Sequence, residues 1–168
     1  MNSRKSTQRI TLCGMLTALM LVLGLIEHQI PLNASVPGIK LGLSNGVLIF
    51  AVYMLGVPTT YSLMILKVLL ASALYAGFGA APYALAGGLL SVTSMVLASR
   101  SKDVHPTVVS MLGGAMHNVG QVGMAMLVTK TPGLMGYMGI LMLVGLGCGL
   151  LTGVCATLVM KHLKHLKL

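Results

Sequence analysis

The run Gly133-Leu-Met-Gly-Tyr-Met-Gly-Ile-Leu-Met-Leu-Val-Gly-Leu-Gly-Cys-Gly-Leu-Leu-Thr-Gly-Val-Cys-Ala-Thr-Leu-Val-Met160 carries no charged residue from end to end. About 20 consecutive apolar residues let a helix cross the hydrocarbon of a bilayer, so this run suffices by itself. Pro132 precedes it and Lys161 follows it, and similar punctuation recurs back along the chain. All six prolines, Pro31, Pro37, Pro58, Pro82, Pro106 and Pro132, fall between long apolar runs. Proline lacks the N–H and clashes with the preceding turn, so it starts or stops a helix. Read as boundaries, the prolines predict helices at about 10–27, 38–56, 59–77, 82–99, 106–129 and 133–161. Strands are not expected: period-two alternation is missing, and a bilayer accepts only helices or closed barrels. The predicted class is all-α, a single six-helix transmembrane domain over 1–168.

Composition agrees. Of 168 residues 56% are apolar and only 8% charged, with a mean hydropathy of +0.93. Soluble domains carry about a quarter charged residues, so an ordinary soluble globule is excluded, and so is a charge-rich disordered or nucleic-acid-binding chain. The net charge of +9 comes from eleven Lys and Arg against Glu27 and Asp103. In this setting it reports topology, and nucleic acid is not an expected partner. Arg4, Lys5 and Arg9 precede the first helix, Arg100 and Lys102 separate the fourth from the fifth, and Lys161, Lys164 and Lys167 follow the sixth. An even helix count puts these eight on one side, against Lys40 and Lys130 on the other. Both termini are therefore expected in the cytoplasm. The first segment lacks a small-x-small cleavage site at Glu27-His-Gln-Ile-Pro31, so no signal peptide is expected. The histidines and lysines of the tail are expected against anionic headgroups of the lipid.

Polar groups within a bilayer are costly and so point to function. Lys67 sits inside the third helix, where it either snorkels to the headgroups or pairs with another helix, or else serves a substrate or coupling role. In the fifth, Gly113-Gly-Ala-Met-His117-Asn118-Val-Gly-Gln121 places His117, Asn118 and Gln121 on one face by their three- and four-residue spacings. Such a trio either bonds helix to helix or lines a cavity, and the cavity is the favoured reading. Gly38, Gly42 and Gly46 are expected as a small-residue stripe with Asn45 on nearly the same face, and Lys40 near the outer interface. With an open loop holding Glu27, His28 and Asn33, these would form the mouth of an outward-facing pocket. Gly145, Gly149 and Gly153 look like plain helix packing.

Catalysis finds little support. Cys13, Cys148 and Cys155 show no metal spacing, and Cys148 and Cys155 would lie about 10 Å apart along one helix, too far to bridge. No metal and no cofactor is expected. Two acids cannot supply the aspartate clusters that hold magnesium on a diphosphate, and no GxxxxGK[ST] loop is present. The chain is not expected to be an enzyme.

Pro37-Gly-Ile-Lys-Leu-Gly-Leu-Ser-Asn45 and Gly113-Gly-Ala-Met-His-Asn-Val-Gly-Gln121 resemble the signature stretches of the bacterial Gx transporter family, also labelled heptaprenyl diphosphate synthase component I. That family resembles the S components of energy-coupling factor transporters. The resemblance implies an S-component-like six-helix bundle in the bacterial cytoplasmic (inner) membrane, binding a small substrate. It also implies docking on a transmembrane coupling subunit with ATPases through small residues four apart on the first helix, here Gly14 and Ala18. Lys40, Asn45, Lys67, His117, Asn118 and Gln121 are the expected substrate-binding residues, for an anionic or amphipathic small molecule. The alternatives are a non-catalytic accessory membrane subunit in isoprenoid or quinone synthesis, or a subunit of a membrane redox complex.

Overall fold

A computed structural model describes residues 2–29, 42–101 and 103–163. Lys40, with Gly38, Asn33, Lys102 and the tail beyond 163, lies outside the described residues. Six α-helices run α1 Asn2–Gln29, α2 Gly46–Met54, α3 Val57–Ala71, α4 Ala81–Ser99, α5 Pro106–Thr129 and α6 Met135–Leu163. No strand occurs among the described residues. Prolines open α3, α4 and α5 within their first two positions, and Pro132 opens the single 3-10 turn that leads into α6. The proline punctuation therefore set these starts to within about two residues. α1 begins earlier than expected because a helix can continue past the hydrocarbon with basic residues on it.

The second helix departs most from expectation. Only nine residues are α-helical, preceded by a 3-10 turn at Leu43–Asn45. Gly42 does not belong to a helical stripe. It sits in the left-handed region at φ 85, so Gly42 and Gly46 do not share a helix face. α2 is apolar and buried nearly all round, with Leu48, Ile49 and Ala51 fully enclosed by α1, α3, α4 and α6. It forms the centre of the core with Met20, Met64, Val92 and Met95.

Among the described residues four segments are long and apolar enough to cross a membrane: Thr7–Gln29, Val57–Ala76, Phe78–Ser99 and Pro132–His162. Of the six spans expected from the sequence, four qualify by length and hydropathy. α2 is too short by itself. α5, at 24 residues, has the length, about 36 Å, but its His117, Asn118 and Gln121 lower its hydropathy. Burial between α4 and α6 removes the need for an apolar surface there.

α4, α5 and α6 run antiparallel in turn, and α5 makes its most extensive packing with α6 and α4. The expected glycine packing is present: a Cβ at Gly149 would meet the Met111 backbone at 2.6 Å, and one at Gly153 the Thr107 Cα at 2.9 Å. Three contacts gather the basic ends together. Arg9 donates to the Leu55 carbonyl at 3.4 Å, Tyr61 pairs with Thr93 at 2.8 Å, and Thr107 pairs with Thr157 at 3.4 Å. Arg9, Arg100 and Lys161 consequently lie toward one end of the bundle, and Lys130 toward the other.

α3 continues into a π-helical turn, Ser72–Ala76, which stops at Gly77 in a positive-φ conformation. Such widened turns recur at functional sites because they redirect side chains within a helix. Here the turn carries Tyr75.

Candidate functional site

Glu27, in the last turn of α1, is buried, with 4% of its surface exposed. Its carboxylate Oε1 accepts the backbone N–H of Gly42. That bond requires the left-handed turn at Gly42, where a Cβ would also press the His117 ring at 3.3 Å. The Gly42 carbonyl accepts the Asn45 N–H at 2.9 Å, closing the 3-10 turn. Asn45 then accepts Lys67 Nζ on its Oδ1 at 2.7 Å. One four-residue turn therefore holds a carboxylate at its start and an ammonium at its end.

These charges share one small closed chamber. Glu27, Gly42, Ser44, Lys67, Tyr75, His117 and Gln121 line it, together with small residues of α3 and α4. Its free volume is about 20 Å³, room for one water molecule and little more. Tyr75 closes one side: its hydroxyl donates to the Leu21 carbonyl at 3.3 Å and its ring lies 5.7 Å from that of His28. Gly24 is the position on α1 that makes room for the Tyr75 hydroxyl, which a Cβ would strike. On the far side Gly87 of α4 lets α5 come close, since a Cβ there would meet Gln121 Cγ and the His117 carbonyl, each at 2.7 Å.

The sequence-expected trio is divided. His117 and Gln121 line the chamber, at 3% and 1% exposure. Asn118, equally buried, turns to α6, where its Nδ2 donates to the Leu141 carbonyl at 2.6 Å and its Oδ1 has no partner. Gly114 and Gly120 bring α6 and α4 against α5 backbone to backbone, the latter with a Cβ only 2.6 Å from the Ala86 carbonyl. Lys67 does not snorkel to the headgroups; it reaches Asn45. Beneath the chamber, Asn45 Nδ2 and Ser91 Oγ are buried without a hydrogen-bond partner.

Glu27 was expected in a loop at the mouth of the pocket and not among the binding residues, because it falls beside the prolines; it lies on α1 and lines the chamber. Its signal was present: it is one of two acids in the chain and ends an apolar helix, and an ionisable residue at membrane depth is a functional candidate by default. Tyr75 and Ser44 carry no comparable signal. Among the described residues no three His, Cys, Asp or Glu side chains come together as a metal site.

A second concavity is of a different kind. An open groove of about 640 Å³ runs along α1, lined by Cys13, Gly14, Thr17 and Ala18 together with Leu55 and Leu66. Gly14 and Ala18 are exposed, and a Cβ at Gly14 would meet nothing.

The model of the family described as heptaprenyl diphosphate synthase component I matches residues 16–159. The chain belongs to this family. The match spans the fold from the middle of α1 to the end of α6, so the chamber lies within the family region. No curated protein and no solved structure matches the chain. The family description names a component of a synthase; what the chain itself presents is a membrane-type helical bundle around an enclosed charged chamber.

Proposed function

We propose that this protein is the substrate-binding component of a bacterial inner-membrane transporter, similar in plan to an energy-coupling factor S component. All six helices would be embedded, with both termini cytoplasmic, and the substrate would be a small anionic or amphipathic molecule. One observation carries the reading: a lysine, a carboxylate, an imidazole and an amide converge on one buried chamber where apolar packing alone would hold the helices together. Lys67 supplies the charge, Gln121 and His117 the directional hydrogen bonds. The chamber holds about one water, so binding requires it to widen. Mass spectrometry of the small molecule retained after gentle purification tests this, and recovery of no ligand from a folded, lipid-supported preparation counts against it.

The α1 groove suits the flank of another transmembrane helix, and the coupling subunit with its ATPases is the partner we assign to it. Leucine at both Gly14 and Ala18 is expected to leave folding intact, because neither site is filled from within. Partner co-purification and uptake should fall to background, since close packing is the main attraction between helices in lipid. Uptake at the parental rate would show that the protein works alone.

Topology is tested separately. Cysteine labelling is expected to reach positions 2 and 166 from the cytoplasm and position 130 from outside, following the eight-to-two distribution of basic residues. Opposite sides for the two termini would sink the six-span arrangement.

The family description favours a second reading, an accessory non-catalytic membrane subunit in isoprenoid synthesis. Co-purification with a soluble prenyl synthase, with no retained small molecule, would select it.

A further inference from the structure

We infer that Glu27 is a proton-binding site coupled to Lys67, so that an anion enters the chamber together with one proton. This rests on the reading of the chamber as an anion site. The argument is one of charge balance. As the protein stands, Glu27 and Lys67 cancel across a closed space walled by Ala71, Ala76, Ala80 and Ala84. An anion on Lys67 would leave that space with a net negative charge, and a low-dielectric site pays heavily for an uncompensated buried charge. A proton from the aqueous phase, added to the Glu27 carboxylate, restores neutrality.

The local bonding permits this. Oε1 accepts the Gly42 N–H, and a neutral carboxyl group keeps that acceptor oxygen while its other oxygen carries the proton. The turn from Gly42 to Asn45 therefore survives the change. Lys67 in turn can release Asn45 and keep its charge for the anion. The other titratable groups facing Glu27 are His117 from α5 and Tyr75 from the π turn, which share the chamber, and Cys148 from α6, which interacts with it electrostatically. His28, next along α1, is exposed and packs at a tilt against Tyr75. Of these the two histidines are the rival proton acceptors near neutral pH.

The composition makes the site spectroscopically isolated, because Asp103 is the only other acidic side chain. In an Asp103→Asn background, in a maltoside detergent that has no carbonyl, a protonated-carboxyl infrared band at neutral pH reports Glu27. Lys67→Gln keeps a donor for Asn45 but removes the charge, and Lys67→Met removes both. Both variants are expected to show the band at pH 7, with Lys67→Arg and the parent showing none; Glu27→Gln in the Lys67→Gln chain should abolish it. No band in either charge-removing variant would overturn the proposal.

The parent protein gives a second measurement that needs no folded variant. With ¹³C-carboxyl hexanoate as the probe anion, binding should bring up the unlabelled Glu27 band, and affinity should weaken about tenfold per pH unit above neutrality, the slope for one linked proton. Hexanoate binding without pH dependence overturns the proposal, and pH-dependent binding without the band transfers the proton to a histidine and overturns it as well. If hexanoate does not bind, the anion reading of the chamber fails. The coupling of Glu27 to Lys67 is then decided by the variants alone.

Discussion

Leucine at Gly145 is expected to cost the protein its folded state. A Cβ there would stand 2.5 Å from the Gly114 carbonyl oxygen and 2.8 Å from its carbon. Gly114 faces the Gly145 carbonyl in the same way, so the two helices touch backbone to backbone at this level. Overpacking an ordinary core costs about 1–3 kcal/mol, because side chains can shift. Here two of the three nearest atoms are backbone, and the third, Asn118 Nδ2 at 2.8 Å, is held by its bond to the Leu141 carbonyl. α5 and α6 make the most extensive contact in the fold, so the expected penalty is about 3 kcal/mol or more, a large part of a total stability of about 5–15 kcal/mol. Gly147 provides a matched control on the same helix: it is exposed, and a Cβ there meets nothing. Thermal melts followed by size exclusion in detergent should show Gly147→Leu melting with the parent and Gly145→Leu failing to yield a monodisperse species. Equal behaviour of the two would mean that α5 and α6 do not meet at these glycines.

Gln121→Leu is expected to lose ligand affinity by about 1–3 kcal/mol, which is a loss of about five- to 150-fold. Gln121 lines the chamber opposite Lys67, and leucine would leave a polar group of the ligand buried and unpaired. Asn118→Leu separates the two roles within one helix turn. Sequence spacing alone placed Asn118 in the pocket and would assign it the same loss. Its bond to the Leu141 carbonyl instead makes it a link between α5 and α6. Its removal should lower the melt modestly, by about 0.6 kcal/mol on the average for such bonds in membranes, and leave affinity unchanged. Titration of both purified variants with the retained ligand, with thermal melts alongside, measures the two quantities. Affinity lost in Asn118→Leu and kept in Gln121→Leu would put the ligand on the α6 side of α5.

Much of the site was legible because the cost of polar groups in a membrane leaves few candidates. Lys67, Asn45, His117 and Gln121 were all marked by polarity at depth, and they do meet. Lys40 falls outside the described residues. Gly42 was read as packing stripe, yet its role is a backbone turn, and a helical spacing rule cannot signal a left-handed φ. Glu27 was read as loop because two prolines follow it, whereas helix α1 runs on to Gln29.

What the sequence determined by itself was local. Apolar runs longer than the hydrocarbon, broken by proline, fix helices and their starts through backbone chemistry that acts within a few residues. Which face of α5 meets the chamber and which meets α6 was decided by tertiary structure, because His117, Asn118 and Gln121 share an arc of about 100° and only the neighbouring helices choose among them. The pairing of Glu27 and Lys67 with the two ends of one turn is likewise tertiary. Residue 27, the turn 42–45 and residue 67 are distant in sequence, and the space between four helices, not any local preference, brings a carboxylate and an ammonium together out of water.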